Sequence, residues 1–370
     1  EVEGVRTDVR VMNTSYLGGE WYIDQMRVKA YESEPVPFSL PRAKYYGRDD
    51  LVPIQEFFKE QIPINQIMDW IMSADKRTKA SFAGVDSDCI PARTILLPVN
   101  KANVLDSKIV TSEDASLIED TVVIRLKNNQ LDRSELMILD LLANFDWKRP
   151  LYVTSPSLVT AFGLENYLQF DGFAYRIVPI HTPFSYSDPG RIDTEYLYER
   201  LMKTFRYGNV KDPRVYIDAT IVNSFEATHS RDAYGRLAKA LVAEGDTIRA
   251  REVLAYGLQE IPFSQLPHSY LSTIPVIEAY YVIGDPETAN RILNEYASRL
   301  KQHVTYMMGF PTAKRDLVFP EIRRKAAELF ELYNVAGENG QTQIVAELDE
   351  YFKNLGLVGS SACKCDVGKK

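Results

Sequence analysis

The stretch from Arg231 to Pro262, RDAYGRLAKALVAEGDTIRAREVLAYGLQEIP, decides how the second half of the chain is read. Tyr234, Leu237, Ala238 and Leu241 recur at three- and four-residue spacing, as do Ala250, Val253, Leu254 and Gly257. That is the period of two amphipathic helices, each burying one face. Gly245-Asp246 between them predicts a tight turn. The stretch carries no catalytic pattern and reads as a packing and recognition unit.

The unit recurs. Gly284-Asp285 repeats Gly245-Asp246 after 39 residues, and Ala289 and Leu293 repeat Ala250 and Leu254. A third, looser copy is predicted from Glu321 to Asn354, with a turn over Gly337–Gly340 about three residues longer than the others. Long connections are predicted at Phe263–Tyr270 and Thr305–Pro320. Tyr234, Leu237, Ala238, Leu241, Gly245, Ala250, Leu254, Gly257 and Pro262 fall at the signature spacings of the tetratricopeptide repeat, which this unit resembles; Gly284, Ala289 and Leu293 continue the pattern more weakly. A helical bundle with accidental spacing is the alternative. Arrays of the resembled kind bind peptides or proteins in a groove, or serve as rigid supports.

A chain of 370 residues predicts two domains. The division expected is an α/β domain at 1–190, a bridging helix and linker at 191–225, helical repeats at 226–358 and a disordered tail at 359–370. The formal net charge of −8 argues against nucleic acid and against anionic lipid as default partners. No apolar run reaches the roughly 18–20 residues of a membrane span. The opening, Glu1-Val2-Glu3-Gly4, runs directly into folded-type sequence and predicts a fragment of a longer protein. The three cysteines, Cys89, Cys363 and Cys365, do not make a disulfide framework. Cys363-x-Cys365 is readable as a metal pair or as part of a disordered tail.

The first half predicts an α/β domain, a mixed sheet with flanking helices. Strands are expected at Asp8–Asn13, Arg93–Val99, Thr121–Leu126, Pro150–Thr154 and Phe173–Pro179. Helices are expected at Glu20–Tyr31, Val52–Lys59, Pro63–Met72, Leu131–Phe145 and Leu158–Leu168, with Asp132 as an N-cap. Ala74–Asp88 reads as loop, and Asn100–Asp120 as a meander or hairpin. Parallel neighbours are expected where helices intervene.

No phosphate-binding loop, dinucleotide fingerprint, nucleophile elbow or zinc-protease motif is present. No catalytic residue, metal ligand set or cofactor is therefore assigned. His181, His229, His268 and His303 lie at no ligand spacing. Asp49-Asp50 and Asp86-x-Asp88 suit a hard cation or are exposed loop acids. Gly18-Gly19 would let an anion approach a helix N-terminus, or is an ordinary turn. Asn13-Thr14-Ser15 is a glycosylation sequon by letter. Asn13, Trp21, Tyr22, Asp24 and Gln25 form the candidate ligand-binding cluster: rings stack on sugars and amides and carboxylates bond hydroxyls. A core or interface cluster is equally compatible.

Further landmarks are RTDVRVMNTSYLGGEWYIDQMRVKAYES at the start, KRPLYVTSPS (Lys148–Ser157), GLENYLQFDGFAYRIVPI (Gly163–Ile180) and YGNVKDPRVYID (Tyr207–Asp218). Together with the repeats, they resemble the soluble C-terminal part of a family of multi-pass membrane proteins, of unknown function, abundant in Bacteroidetes. The membrane part of that family is similar to protein O-mannosyltransferases of the GT-C type. The resemblance implies an extracytoplasmic, periplasmic domain tethered by an upstream transmembrane region, which would be its partner. An acceptor protein and a lipid-linked sugar donor are the further partners implied. The catalytic acid of such enzymes would lie outside this chain. A protein-interaction module with no glycosyl role is the alternative.

Overall fold

The computed structural model describes residues 5–47, 51–82, 85–220 and 231–355. The chain divides into two compact units, Glu1–Arg191 and Ile192–Lys370. In chain order the first holds helix α1 (Glu20–Met26), strands β1 (Val52–Pro53) and β2 (Ile62–Pro63), and helix α2 (Ile64–Met72). The hairpin β3 (Lys79–Phe82) and β4 (Val85–Asp88), strand β5 (Thr94–Pro98), helix α3 (Lys101–Asp106), and strands β6 (Thr121–Arg125) and β7 (Gln130–Leu131) follow. Helix α4 (Arg133–Ala143) and strands β8 (Tyr152–Val153), β9 (Leu168–Phe170) and β10 (Tyr175–Ile177) complete it.

The core of this unit forms where α2 and α4 pack beside the strand pair β5–β6. The pair is antiparallel, Leu96 facing Val123, and its alternate residues Ile95, Leu97, Val122 and Ile124 are buried, as the period of two requires. Helix α2 buries Ile64, Ile67, Met68 and Ile71. Asp132 caps α4 in a full capping box with Glu135, satisfying two orphan N–H groups at once. One turn from its end, the buried Asp140 carboxylate accepts Ser39 N–H (2.8 Å), Ser39 Oγ–H (2.5 Å) and Leu40 N–H (3.0 Å). Burial pushes its pKa up, and these bonds work against that.

Several expectations fail here. The strands form four small sheets of two or three strands instead of one mixed sheet. Only β2–β5 pairs parallel among the named strands; β8, β10 and β9 are antiparallel. A parallel return needs a crossover of about a dozen residues, usually helical. Leu158–Leu168 supplies only short 3₁₀ turns, Pro156–Phe162 and Glu165–Tyr167. Asp8–Asn13 forms no strand, and Asp8 lies in a turn closed by Val9 N–H to Arg6 O at 3.0 Å. Helix α1 stops at Met26, short of Tyr31, and buries Tyr22, Ile23 and Met26. Val52–Lys59 is not helical, because its backbone pairs outward: Ile54 N–H to Asn129 O and Gln55 N–H to Ile90 O, both 2.9 Å. Ala74–Asp88 is not a loop but carries the β3–β4 hairpin. Asn100 nucleates α3, accepting Asn103 N–H at 3.1 Å, where a hairpin is expected.

The second unit opens with α5 (Thr194–Glu199), whose last turn widens to π geometry over Arg200–Thr204. It continues with α6 (Asp232–Ala243), α7 (Thr247–Glu260), α8 (Tyr270–Val282), α9 (Pro286–Met308), α10 (Thr312–Glu338) and α11 (Thr342–Asn354). Three of the turns are one device. Gly245, Gly284 and Gly340 have φ of 89°, 76° and 69°. Each donates its N–H three residues back, while the following residue donates five back, to Leu241, Tyr280 and Ala336. That is the Schellman motif, which needs a left-handed residue and so favours glycine. The third turn is thus no longer than the first two. Thr305–Pro320 is not a long connection either: α9 runs to Met308 and α10 begins at Thr312, with Pro320 inside it.

Helices α6 and α8 pack against each other. Lys239 Nζ pairs with Glu278 at 2.8 Å, 39 positions on. A Cβ on Gly235 would lie 2.6 Å from the Pro275 carbonyl, and one on Gly257 would lie 2.5 Å from Tyr234 Cγ. The Tyr234 ring cannot retreat, since it is buried and its hydroxyl bonds that of Tyr207 at 2.9 Å. Gly235→Ala and Gly257→Ala should each destabilise this unit by about 1–3 kcal/mol through overpacking. Gly245→Ala meets nothing within 4 Å and should cost only the left-handed backbone penalty, about 1 kcal/mol. Urea midpoints of the three variants check this order.

A buried column crosses the unit. Arg231 lies over the Phe263 ring at 4.2 Å, Phe263 stacks on His268 at 4.0 Å, and His268 stacks on Tyr296 at 5.3 Å. The His268 side chain is 1% exposed and its Nδ1 has no hydrogen-bond partner. Burial first, then Arg231, Arg299 and Arg291, push its pKa down to about 3; Glu295, 3.8 Å away, is too exposed to reverse this. The folded unit therefore holds His268 neutral while the unfolded chain takes a proton below pH of about 6.5. Stability should be full above that pH and fall by a few kcal/mol as pH drops toward 3. His268→Phe should flatten that fall in denaturation midpoints measured against pH.

Candidate functional site

The candidate ligand cluster gathers at α1. Gly18-Gly19 leads into the helix, where Gly18 O accepts Arg133 Nη1 at 2.6 Å and the Glu20 carboxylate accepts Gly47 N–H. The glycines serve packing. A Cβ on Gly18 would meet Ser134 Oγ at 3.3 Å, and one on Gly19 would meet the Trp21 ring at 3.0 Å.

The five candidate residues separate into two groups. Asn13, Tyr22 and Asp24 hold structure. Tyr22 is buried and its hydroxyl accepts Asn13 N–H at 2.8 Å, while Asn13 Oδ1 accepts Ser15 N–H at 3.0 Å. Asp24 pairs with Arg42 at 2.7 Å and accepts the Tyr45 hydroxyl at 2.9 Å. Trp21 and Gln25 point outward one turn apart, and Val28 is exposed just beyond the end of the helix. The Tyr16 ring stands 6.1 Å from that of Trp21. Tyr16, Trp21 and Val28 are 56%, 63% and 63% exposed. The result is an exposed aromatic face, with an amide on it, resting on a hydrogen-bonded base. Stacking plus amide bonding suits a sugar ring or a peptide.

A second feature has no counterpart in the sequence reading. An open cleft of about 460 Å³ runs between the end of β5 and the loop after α4, lined by Val99, Asn100, Lys101, Phe145, Asp146 and Trp147. Trp147 adopts φ of 64°, costly for a bulky residue. It is held there by burial, by its Nε1–H bond to Pro98 O at 2.9 Å and by the Phe145 ring at 4.5 Å. Asp146 accepts Lys148 N–H at 3.0 Å, and its carbonyl accepts Asn103 Nδ2 at 2.7 Å. The only sequence signal was the Trp-after-Asp step in a non-helical run; left-handed backbone at a tryptophan cannot be read from letters.

Other candidates resolve structurally. Asp88 is taken by two ammonium groups, Lys44 at 3.0 Å and Lys79 at 2.7 Å, so it is no cation ligand. No cluster of metal-binding side chains exists among the described residues. Asp49, Asp50, His229, Cys363 and Cys365 lie outside them. Cys89 is buried, and desolvation raises its thiol pKa. His181 stands edge-on to Tyr167 at 5.4 Å. In the second unit, Tyr234, Leu237, Ala238, Leu241, Ala250, Leu254, Ala289 and Leu293 are all buried, while Gly245 and Gly284 make the turns.

The family described as TMEM260-associated domain 2 matches residues 1–196, all of the first unit and the start of α5. The chain belongs to that family. No curated protein and no solved structure matches it. No helix among the described residues is long and apolar enough to cross a membrane.

Trp21 is the exposed tryptophan of the three; Trp147 is 1% exposed and Trp70 half-buried. Trp21→Phe should therefore remove most of the acrylamide-quenchable fluorescence and leave the melting temperature unchanged. Quenching that persists in the variant would contradict the exposure of this face.

Proposed function

We propose that the chain is an extracytoplasmic accessory domain of a membrane-embedded glycosyltransferase similar to protein O-mannosyltransferases, and that it holds the acceptor protein. The observation that carries this reading is membership in a TMEM260-associated family, a family of accessory domains of a membrane protein. The resemblance of the sequence landmarks to multi-pass bacterial membrane proteins supports the enzyme class proposed. In this reading the second unit is a tetratricopeptide-like array. Its Schellman turns and glycine-mediated helix contacts give a stiff support, and rigid repeat surfaces suit peptide capture. The exposed Tyr16–Trp21–Gln25 face offers a stacking surface for a glycan or for the acceptor. Chemistry is assigned to the membrane part and not to this chain.

The test uses membranes from cells with the full-length gene, a deletion of Ala219–Leu357, or neither. Transfer of labelled sugar from the lipid donor to protein is measured alongside donor hydrolysis. The reading expects the deletion to lose protein labelling several-fold while sparing hydrolysis. Labelling unchanged by loss of the whole gene would leave a plain interaction module.

A further inference from the structure

We infer that the elbow between α9 and α10 is a docking tip for an anionic bilayer surface. From Thr305 to Glu321 no residue is buried, although Val304 on one side and Ile322 on the other belong to the core. The end of α9 and the first turns of α10 therefore project beyond the packed helices. Projecting polar helices are common, but this one is apolar and aromatic. Tyr306 is 70% exposed, Leu317 82% and Phe319 52%. Tyr306 and Phe310 meet edge to face at 4.9 Å, and Lys314 Nζ lies 4.1 Å over the Phe310 ring. Leu317 follows Lys314 at one helical turn.

Charge selects the occupant. The chain is acidic overall, yet from Tyr296 to Glu328 it carries seven basic residues, Arg299, Lys301, Lys314, Arg315, Arg323, Arg324 and Lys325, against three acidic ones, Asp316, Glu321 and Glu328. The average charge that argues against anionic lipid thus conceals a local cationic tip. Rings and a leucine beside cations form the composition that inserts at the headgroup boundary while basic groups meet lipid phosphates. Shape agrees. Peptides and small ligands are taken by concave sites, whereas this elbow projects and suits a flat surface. The inference does not rest on the glycosyltransferase reading, because vesicle binding is measured without sugar transfer.

The test is sedimentation of the full chain with vesicles of phosphatidylcholine alone, or with about a third phosphatidylglycerol, at low and high salt. Binding should appear only with the anionic vesicles and weaken with salt. Each basic group near such a surface is worth about fivefold in partition, so the double variant Lys314→Gln/Arg315→Gln should lose on the order of twentyfold. Leu317→Ser/Phe319→Ser should also weaken binding. Lys353→Gln, exposed on α11, should not. All five side chains are exposed or half-exposed, so circular dichroism should report an intact fold in every variant. The inference is overturned by equal binding to both vesicle types, by none to either, or by anionic binding that both double variants retain. Retained binding would place the lipid contact elsewhere.

Discussion

The helical unit depends on backbone meeting backbone where a side chain would stand. At Gly235 the chain of α6 comes within van der Waals reach of the Pro275 carbonyl in α8, and at Gly257 helix α7 accepts the face of Tyr234. These two absences of a Cβ set how close the first pair of helices lies and how the next pair stacks on it. Pro275 fits the same arrangement: a proline inside a helix gives up one N–H bond, and its carbonyl edge is where α6 approaches. Lys239–Glu278 then records the register at the surface. Surface pairs contribute little energy, so the ion pair reports the stacking more than it causes it.

The first unit is organised differently. With its strands only two to five residues long, no single sheet orders it. Buried charges tie its irregular segments instead. Asp140 fixes Ser39 and Leu40 onto α4, Asp88 gathers Lys44 and Lys79, and Arg176 pairs with Asp171 at 2.9 Å. A buried charge left without its partner is expensive, so these contacts specify where loops go.

What the sequence made legible follows from this contrast. Amphipathic helices announce themselves by period, and α2, α4, α6 and α7 were readable with their stripes, as was the Asp132 cap. The strands β5 and β6 were readable because alternation and burial coincide. The two-residue strands, the 3₁₀ turns and the β3–β4 hairpin were not, since none is long enough to show a period. The start of α10 was hidden for the opposite reason: it is helical but buries nothing, and Pro320 reads as a stop. Of the ligand cluster, residue types were visible, but not that Tyr22 is buried and Asp24 is tied to Arg42 and Tyr45, while Asn13, Trp21 and Gln25 stay exposed. The cationic elbow was masked by averaging charge over the whole chain.

The second unit is a stack of helices set close together at glycines. The stacking register is the central claim, and carbodiimide cross-linking read by mass spectrometry tests it most directly. A zero-length link between Lys239 and Glu278 requires the two helices to lie side by side. The account predicts that this link forms within one chain and disappears in Glu278→Gln. Its absence, while contacts such as Lys211–Glu260 are captured in the same sample, would contradict it.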